Sequence, residues 1–342
     1  MWFWSLAAFA LLSAMALTVV VRRYALAKQI IDIPNARSSH TSPTPRGGGM
    51  AIVVVFYVVS LALGWRSGLP AGYLYAILVA GSLVVGIGWL DDHGHVQAVW
   101  RFVVHLLAAG LALFWIGSLP FVQVGPWLLD LGMLGYPLGL LFIIWIVNLY
   151  NFMDGIDGMA GLETITVTSA AAFLLWQNGA EDMAGWIVLL GMASAGFLVW
   201  NWPPARIFMG DGGSGFLGFA LAVFALLTAG SGRLAIWPWL ILFGVFVVDA
   251  TVTLLRRVAA GEKWHEAHRS HAYQYASRRY NSHRIVTLAV AAINVGWLFP
   301  LAWIASAFPN WGAFCLVVAW TPLMFLALKF QAGVPESMTT ER

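Results

Sequence analysis

Apolar positions in this chain come in runs of about 20 residues separated by short polar breaks, the length a helix needs to cross about 30 Å of hydrocarbon. Eleven such runs can be traced: residues 2–21, 47–64, 72–90, 99–117, 137–153, 158–176, 183–200, 212–229, 235–255, 285–306 and 310–328. Lipid offers no partner to an open strand edge, so spans of this length must be helices. The pattern predicts an all-α polytopic membrane protein in which residues 1–329 form a single transmembrane domain. The last residues, "AGVPESMTTER", read as a free polar tail, and 330–342 is expected to lie outside the bundle.

Composition agrees with that reading. Of 342 residues, 61% are hydrophobic and only 10% charged, against roughly a quarter charged in ordinary soluble domains. The first run has no basic residues ahead of it and no small-residue cleavage site after it, so it reads as a retained span rather than a signal peptide. Cys315 falls inside the last run and reads as a small hydrophobe. With the N-terminus placed outside, sixteen of the 18 Lys and Arg residues fall in inside loops, and only Arg66 and Arg233 fall outside. Basic loops stay on the cytoplasmic side, so the bias predicts a periplasmic N-terminus and a cytoplasmic C-terminus. It also accounts for the net charge of +3 with no nucleic-acid partner.

The acids then fall into order. Asp91 and Asp92 end the third run in "GIGWLDDHGH", Asp154 and Asp157 follow the fifth in "NLYNFMDGIDGMAG", and Asp211 closes "NWPPARIFMGDGGSG" after the seventh. All five are expected at the cytoplasmic boundary. Any one of them could be a solvated helix end. Together, at helix C-termini where the macrodipole favours cations and beside an anionic leaflet, they suggest a bound cation. Oxygen donors without cysteine suit a hard ion, and Mg2+ is the usual one where phosphates are handled, with Mn2+ as the alternative. The glycines of "DGIDG" and "MGDGGSG" let backbone N–H groups approach a phosphate. No named motif is completed: "GDGGSG" lacks the P-loop lysine, and "HEAH" at 265–268 is one residue short of a zinc motif.

Two inside loops face these acids. The first carries Arg37, His40 and Arg46, and the last carries His268, Arg269 and His271 within "HEAHRSHAYQ". Topogenic charge is the plain reading of both. The functional one is an anion clamp, because guanidinium forks match phosphate oxygens, and acids facing basic loops are the constellation for phosphoryl transfer at a membrane surface. His105, four residues after Arg101, reads as a packed polar residue. Asp249, inside the ninth run, reads equally as a functional acid or as a helix-pairing one.

Taken together, "GWLDD", "NLYNFMDGIDGMAG", "NWPPARIFMGDGGS" and "HRSHAYQ" resemble the polyprenyl-phosphate N-acetylhexosamine-1-phosphate transferases, the family of peptidoglycan translocase I and of the enzymes that start O-antigen and related polymers. The resemblance covers residues 32 to about 284. It implies transfer of N-acetylhexosamine-1-phosphate from a UDP-N-acetylhexosamine to undecaprenyl phosphate, with Mg2+ and release of UMP, in the bacterial inner membrane. By the same resemblance Asp211 is the metal ligand, and Asp91 and Asp92 serve the lipid phosphate and metal. Asp154 and Asp157 hold the nucleotide side, Asn148 and Asn151 are further substrate-binding positions of the same motif, and Asn201 and Phe208 contact uracil. Where translocase I has a lysine three residues after its aspartate pair, this chain has His95, and the next basic position falls on Arg101. The loop "HRSH" resembles the branch that initiates surface polysaccharides, which implies a small sugar such as N-acetylglucosamine, N-acetylfucosamine or N-acetylquinovosamine.

A transporter of a phosphorylated or nucleotide-linked solute is the alternative. It predicts midplane charges and repeated halves, and no repeat is visible in the sequence. A scaffold for other envelope enzymes would leave the acids without a purpose. A homodimer is a candidate assembly.

Overall fold

The computed structural model describes residues 2–34, 39, 42–262 and 269–334. Arg37, His40 and His268, expected at the site, lie outside these residues. The chain is a helical bundle in which, among the described residues, ten helices are long and apolar enough to cross a membrane, and one bent pair brings the count to eleven. In chain order these are span 1 (Trp2–Ala27), span 2 (Met50–Ser67), span 3 (Ala71–His93), span 4 (Ala98–Ile116), span 5 (Gly132–Met153), span 6 (Met159–Gln177), span 7 (Glu181–Asn201) and span 8 (Asp211–Gly230). Span 9 is the pair Ile236–Leu242 and Gly244–Ala259, followed by span 10 (His283–Ala307) and span 11 (Pro309–Lys329).

Span 8 is the axis of the bundle, buried along nearly its whole length. Its sequence, DGGSGFLGFALAVFALLTAG, supplies small residues that let neighbouring backbones approach, the packing that replaces hydrophobic attraction inside lipid. Spans 3 and 5 lie against it. Polar glue appears where span 10 meets span 6: the Asn294 amide donates to Glu163 at 2.6 Å and to Thr166 at 2.8 Å. Asn294 opens a π-helical turn, Asn294–Leu298, a local irregularity that re-aims side chains within a helix.

Two small antiparallel ladders sit outside the bundle. Ile31–Asp32 pairs with Thr44–Pro45 in the first loop, and Val122–Val124 pairs with Trp127–Leu129 in the loop after span 4. The run read as one span at 235–255 breaks by 71° between Leu242 and Gly244. Because hydropathy is continuous across that point, only the packing reveals the bend. The described residues after span 11, 330–334, also differ from a free tail, since Ala332 is fully buried and Gly333 donates to the Ser270 carbonyl at 2.7 Å.

Candidate active site

The acids of the motifs meet at one end of the bundle, on a frame that spans 3 and 8 build together. Gly88 is the contact point: a Cβ there would fall within 2.5 Å of the Gly212 nitrogen, so only glycine lets the end of span 3 touch the start of span 8. One turn further along span 3, the buried Asp92 carboxylate accepts hydrogen bonds from the backbone N–H groups of Asp211 at 3.0 Å and Gly212 at 3.3 Å. It therefore caps span 8 from a neighbouring helix, satisfying donors that every helix N-terminus leaves open. Arg46, half-exposed, donates to the carbonyls of Asp91 and Asp92 that span 3 leaves unpaired at its C-terminus.

Asp211 is the first residue of span 8. The expectation that all five acids oppose a macrodipole is corrected here: at a helix N-terminus the dipole favours a carboxylate. The Asp91 and Asp211 carboxylates lie next to each other, and one cation serves both. Arg101 Nη1 lies 2.6 Å from Asp91 and 3.4 Å from Asp211. Asp91 also accepts from the Val96 N–H at 2.7 Å, which closes the turn between spans 3 and 4. Arg101 thus belongs to the site. In sequence it reads as topogenic charge and, by the resemblance, as the family's next basic position after the aspartate pair; the fold adds its two carboxylate partners. Asn151 of span 5 donates to Ser214 at 3.3 Å and faces the Asp211 carboxylate, whereas Asn148 is turned back onto the Ile144 carbonyl at 2.7 Å.

The two acids of "DGIDG" have separate surroundings. Asp154, just past span 5, is half-buried; burial and the charges of Asp211, Asp92 and Asp157 hold its pKa well above the usual carboxylate range. Asp157 faces the other way. It accepts from the Ala205 N–H at 3.0 Å and pairs with His283 at 3.3 Å, while its carbonyl accepts from Thr287. Asn201 is buried beside it, its oxygen accepting from the Gly158 N–H at 2.9 Å and its amide donating to Ile207 at 3.0 Å. Asp157 and Asn201 therefore brace the turn that presents Asp154. His283, unremarked in the sequence, also reaches the Ser39 carbonyl of the first loop at 3.2 Å. Phe208 is half-buried on the turn before span 8, its N–H donating to the Pro45 carbonyl at 2.8 Å.

The last loop joins the site through Asp249. This acid, buried within span 9, accepts from the N–H groups of Ala272 at 2.9 Å and Tyr273 at 3.0 Å, from Thr253 at 3.1 Å, and from His271 Nδ1 at 3.3 Å. Because a carboxylate offers only acceptors, Nδ1 carries the ring proton in this pair. The His271 ring stacks between Phe152 and Tyr273, and the Tyr273 hydroxyl donates to the Phe152 carbonyl at 2.8 Å, two residues before Asp154. Burial and the Asp249 and Asp154 charges hold the Tyr273 phenol well above its ordinary pKa, so it acts as a donor. Arg269 lies two residues before His271, half-buried, with its carbonyl accepting from Arg278 at 3.1 Å.

Among the described residues, no three His, Cys, Asp or Glu side chains come close enough to cage a metal unaided. The donor set nevertheless fits Mg2+, which usually keeps several waters and takes one or two carboxylates plus substrate phosphates. Asp211 and Asp91 supply adjacent carboxylates, and Asp154 stands near them, its side chain making no hydrogen bond among the described residues.

The sequence that builds this frame is similar to that of known proteins. The model of glycosyl transferase family 4 matches residues 74–229, which take in Asp91, Asp92, Arg101, Asp154 and Asp211. A Bacillus subtilis protein named as a probable undecaprenyl-phosphate N-acetylglucosaminyl 1-phosphate transferase is 31% identical over 302 residues, covering 85% of this chain and 81% of the relative. The chain belongs to glycosyl transferase family 4. Within the family it is also 32% identical to a decaprenyl-phosphate N-acetylglucosaminephosphotransferase of Mycobacterium tuberculosis, over 79% of this chain and 74% of that one. A Yersinia pestis undecaprenyl-phosphate alpha-N-acetylglucosaminyl 1-phosphate transferase is 28% identical over 82% of this chain and 80% of the relative. Membership carries phosphosugar transfer to a polyprenyl phosphate in a multi-pass membrane protein. The family match ends before Asp249 and His271, which packing brings back to the acids.

Proposed function

We propose that the protein transfers N-acetylhexosamine-1-phosphate from a UDP-N-acetylhexosamine to undecaprenyl phosphate, at the cytoplasmic face of the bacterial inner membrane. UMP leaves, and the product is a sugar on a lipid pyrophosphate that starts a surface polysaccharide. The observation that carries the reading is the meeting of Asp91 and Asp211 on Arg101, with Asp154 beside them, at the end of the bundle where spans 3 and 5 stop and span 8 starts. Such a site can bring together one phosphate anchored in the membrane and a second on a soluble nucleotide. The cytoplasmic assignment is supported by the bias of Lys and Arg toward the loops at that end.

The reaction forms a bond from an oxygen of the lipid phosphate to the β-phosphorus of the donor and breaks the bond between that phosphorus and the oxygen bridging to the UMP phosphate. Two anions must be held within bonding distance, so catalysis is mostly positioning and charge neutralisation. Asp211, with Asp91, would hold Mg2+, which when bound neutralises charge gathering on the pyrophosphate oxygens. Arg101 places a fixed positive charge on the same carboxylates and keeps their spacing. Arg269, held by Arg278, and His271, held by Asp249, face the nucleotide phosphates, and Phe208 offers an aromatic face to uracil. Asp157, Asn201 and Asp92 hold the backbone turns on which the reacting groups depend.

Purified protein in nanodiscs, given UDP-N-acetylglucosamine and Mg2+, is expected to release UMP only when undecaprenyl phosphate is present. UMP release without the lipid, or none with any UDP-N-acetylhexosamine, contradicts the reading.

A further inference from the structure

The segment after span 11 is folded onto the site loop. Phe330 packs edge-on against Tyr280, with ring centroids 6.3 Å apart. Gln331 turns the chain at a left-handed φ of 55°, Ala332 is fully buried, and Gly333 has a φ of 75°. Two hydrogen bonds fix this turn from opposite sides. Arg256 Nη1 of span 9 donates to the Ala332 carbonyl at 2.7 Å, and the Gly333 N–H donates to the Ser270 carbonyl at 2.7 Å. A Cβ on Gly333 would fall 2.8 Å from the Thr253 carbonyl oxygen and 2.9 Å from Arg256 Cβ, so the turn fits the span only with glycine there.

Three consecutive residues of the loop are therefore gripped by three different elements. The Arg269 carbonyl accepts from Arg278 on the helix Ala272–Tyr280, the Ser270 carbonyl accepts from Gly333, and His271 is held by Asp249 of span 9. The helix Ala272–Tyr280 cannot fix the approach to its own first residue alone, because the loop comes to it from span 9. The turn at 330–334 links the two, touching span 9 through Arg256 and the loop through Ser270.

We infer that residues 330–334 are a positioning element of the active site, holding Arg269 and His271 at the angle from which they meet the sugar nucleotide. For its kinetic reading the inference rests on the proposed function; for its structural reading it does not. Local order that depends on few hydrogen bonds opens far more readily when one is removed. Weakening the turn should therefore loosen the loop without touching the acids of spans 3 and 8.

The test compares the full chain with one ending at Val334, one ending at Gln331, and Gly333→Ala in the full chain. Hydrogen exchange at the amides of His271 to Gln274 and steady-state kinetics with UDP-N-acetylglucosamine are the two readouts. Relative to the chain ending at Val334, the chain ending at Gln331 is expected to exchange about tenfold faster at these amides. Its KM for the sugar nucleotide should rise roughly fivefold or more while kcat moves little. Gly333→Ala should shift both readouts in the same direction and decides the matter if the shorter chain does not fold. Exchange equal to that of the chain ending at Val334 in a folded variant overturns the inference, as does a change in kcat with KM unmoved. Should the parent transfer no phosphosugar at all, the proposed function fails and the exchange comparison alone decides this inference.

Discussion

The Asp92 carboxylate accepts from the backbone N–H of Asp211 at 3.0 Å, so the acid that ends span 3 sets the position of the acid that begins span 8. Adjacent in sequence, Asp91 and Asp92 consequently do different work: Asp91 faces Arg101, and Asp92 faces the span 8 backbone. Asp92→Ala removes a cap from two N–H groups and should lower stability by about 1–2 kcal/mol. Asp91→Asn keeps that cap and should lose activity with little change in thermal midpoint. Equal midpoints for Asp92→Ala and the parent in detergent would contradict the division of roles.

Arg101 holds two carboxylates that repel each other. Arg101→Gln should lower the thermal midpoint near neutral pH, and addition of Mg2+ should raise that midpoint by more in the variant than in the parent, because a second cation can take over the same charge. A variant that responds to Mg2+ as the parent does would separate Arg101 from the metal-holding acids.

Asp154 should destabilise the metal-free fold when ionised. Its folded pKa lies above the unfolded value of 3.8, raised by burial and by Asp211, Asp92 and Asp157. A carboxyl shifted this way contributes stability below the unfolded value, and that contribution is lost as pH rises toward the folded one. Asp154→Asn carries no such charge. The variant's thermal midpoint relative to the parent should therefore climb as pH rises above the ordinary carboxylate range, while transfer activity falls. A midpoint difference constant across pH would show that the acid is not strained.

Asn201 offers a discrimination between bracing and uracil contact. Its amide already spans the Gly158 N–H and the Ile207 carbonyl while buried. Asn201→Ala should cost about 2–3 kcal/mol of stability, since it leaves buried polar groups without partners. A variant of parental stability whose only change is a higher KM for the donor would return Asn201 to the uracil.

Hydropathy made ten of the spans legible, because crossing lipid demands a long apolar run and little else produces one. The motif acids were legible for the complementary reason: Asp91, Asp92, Asp154, Asp157 and Asp211 stand where apolar runs stop. What escaped the reading were the partners of those acids. Arg101 matches a basic position of the resembled family, but neither that match nor a charge count names its two carboxylate partners. Asp249 gave no sign of being a helix cap, since its partners Ala272 and Tyr273 are more than twenty residues away and are contacted through backbone N–H groups that any sequence possesses. His283 was counted with the last loop, just before the run that begins at 285, and its partner Asp157 lies 126 residues away. The bend at Gly244 and the turn at 330–334 depend on packing across the bundle, which mean hydropathy does not register.

The most direct measurement is UMP release from UDP-N-acetylglucosamine by purified parent and Asp211→Asn, titrated with Mg2+ in the presence of undecaprenyl phosphate. Asparagine keeps the size of the side chain and removes the charge, and the cap from Asp92 reaches the backbone N–H, which the substitution leaves in place. The variant should therefore fold as the parent does, lose roughly a thousandfold or more in rate, and require far more Mg2+ for whatever rate remains. Near-parental activity of Asp211→Asn at low Mg2+ would contradict the assignment of this cluster as the metal-dependent phosphosugar transfer site.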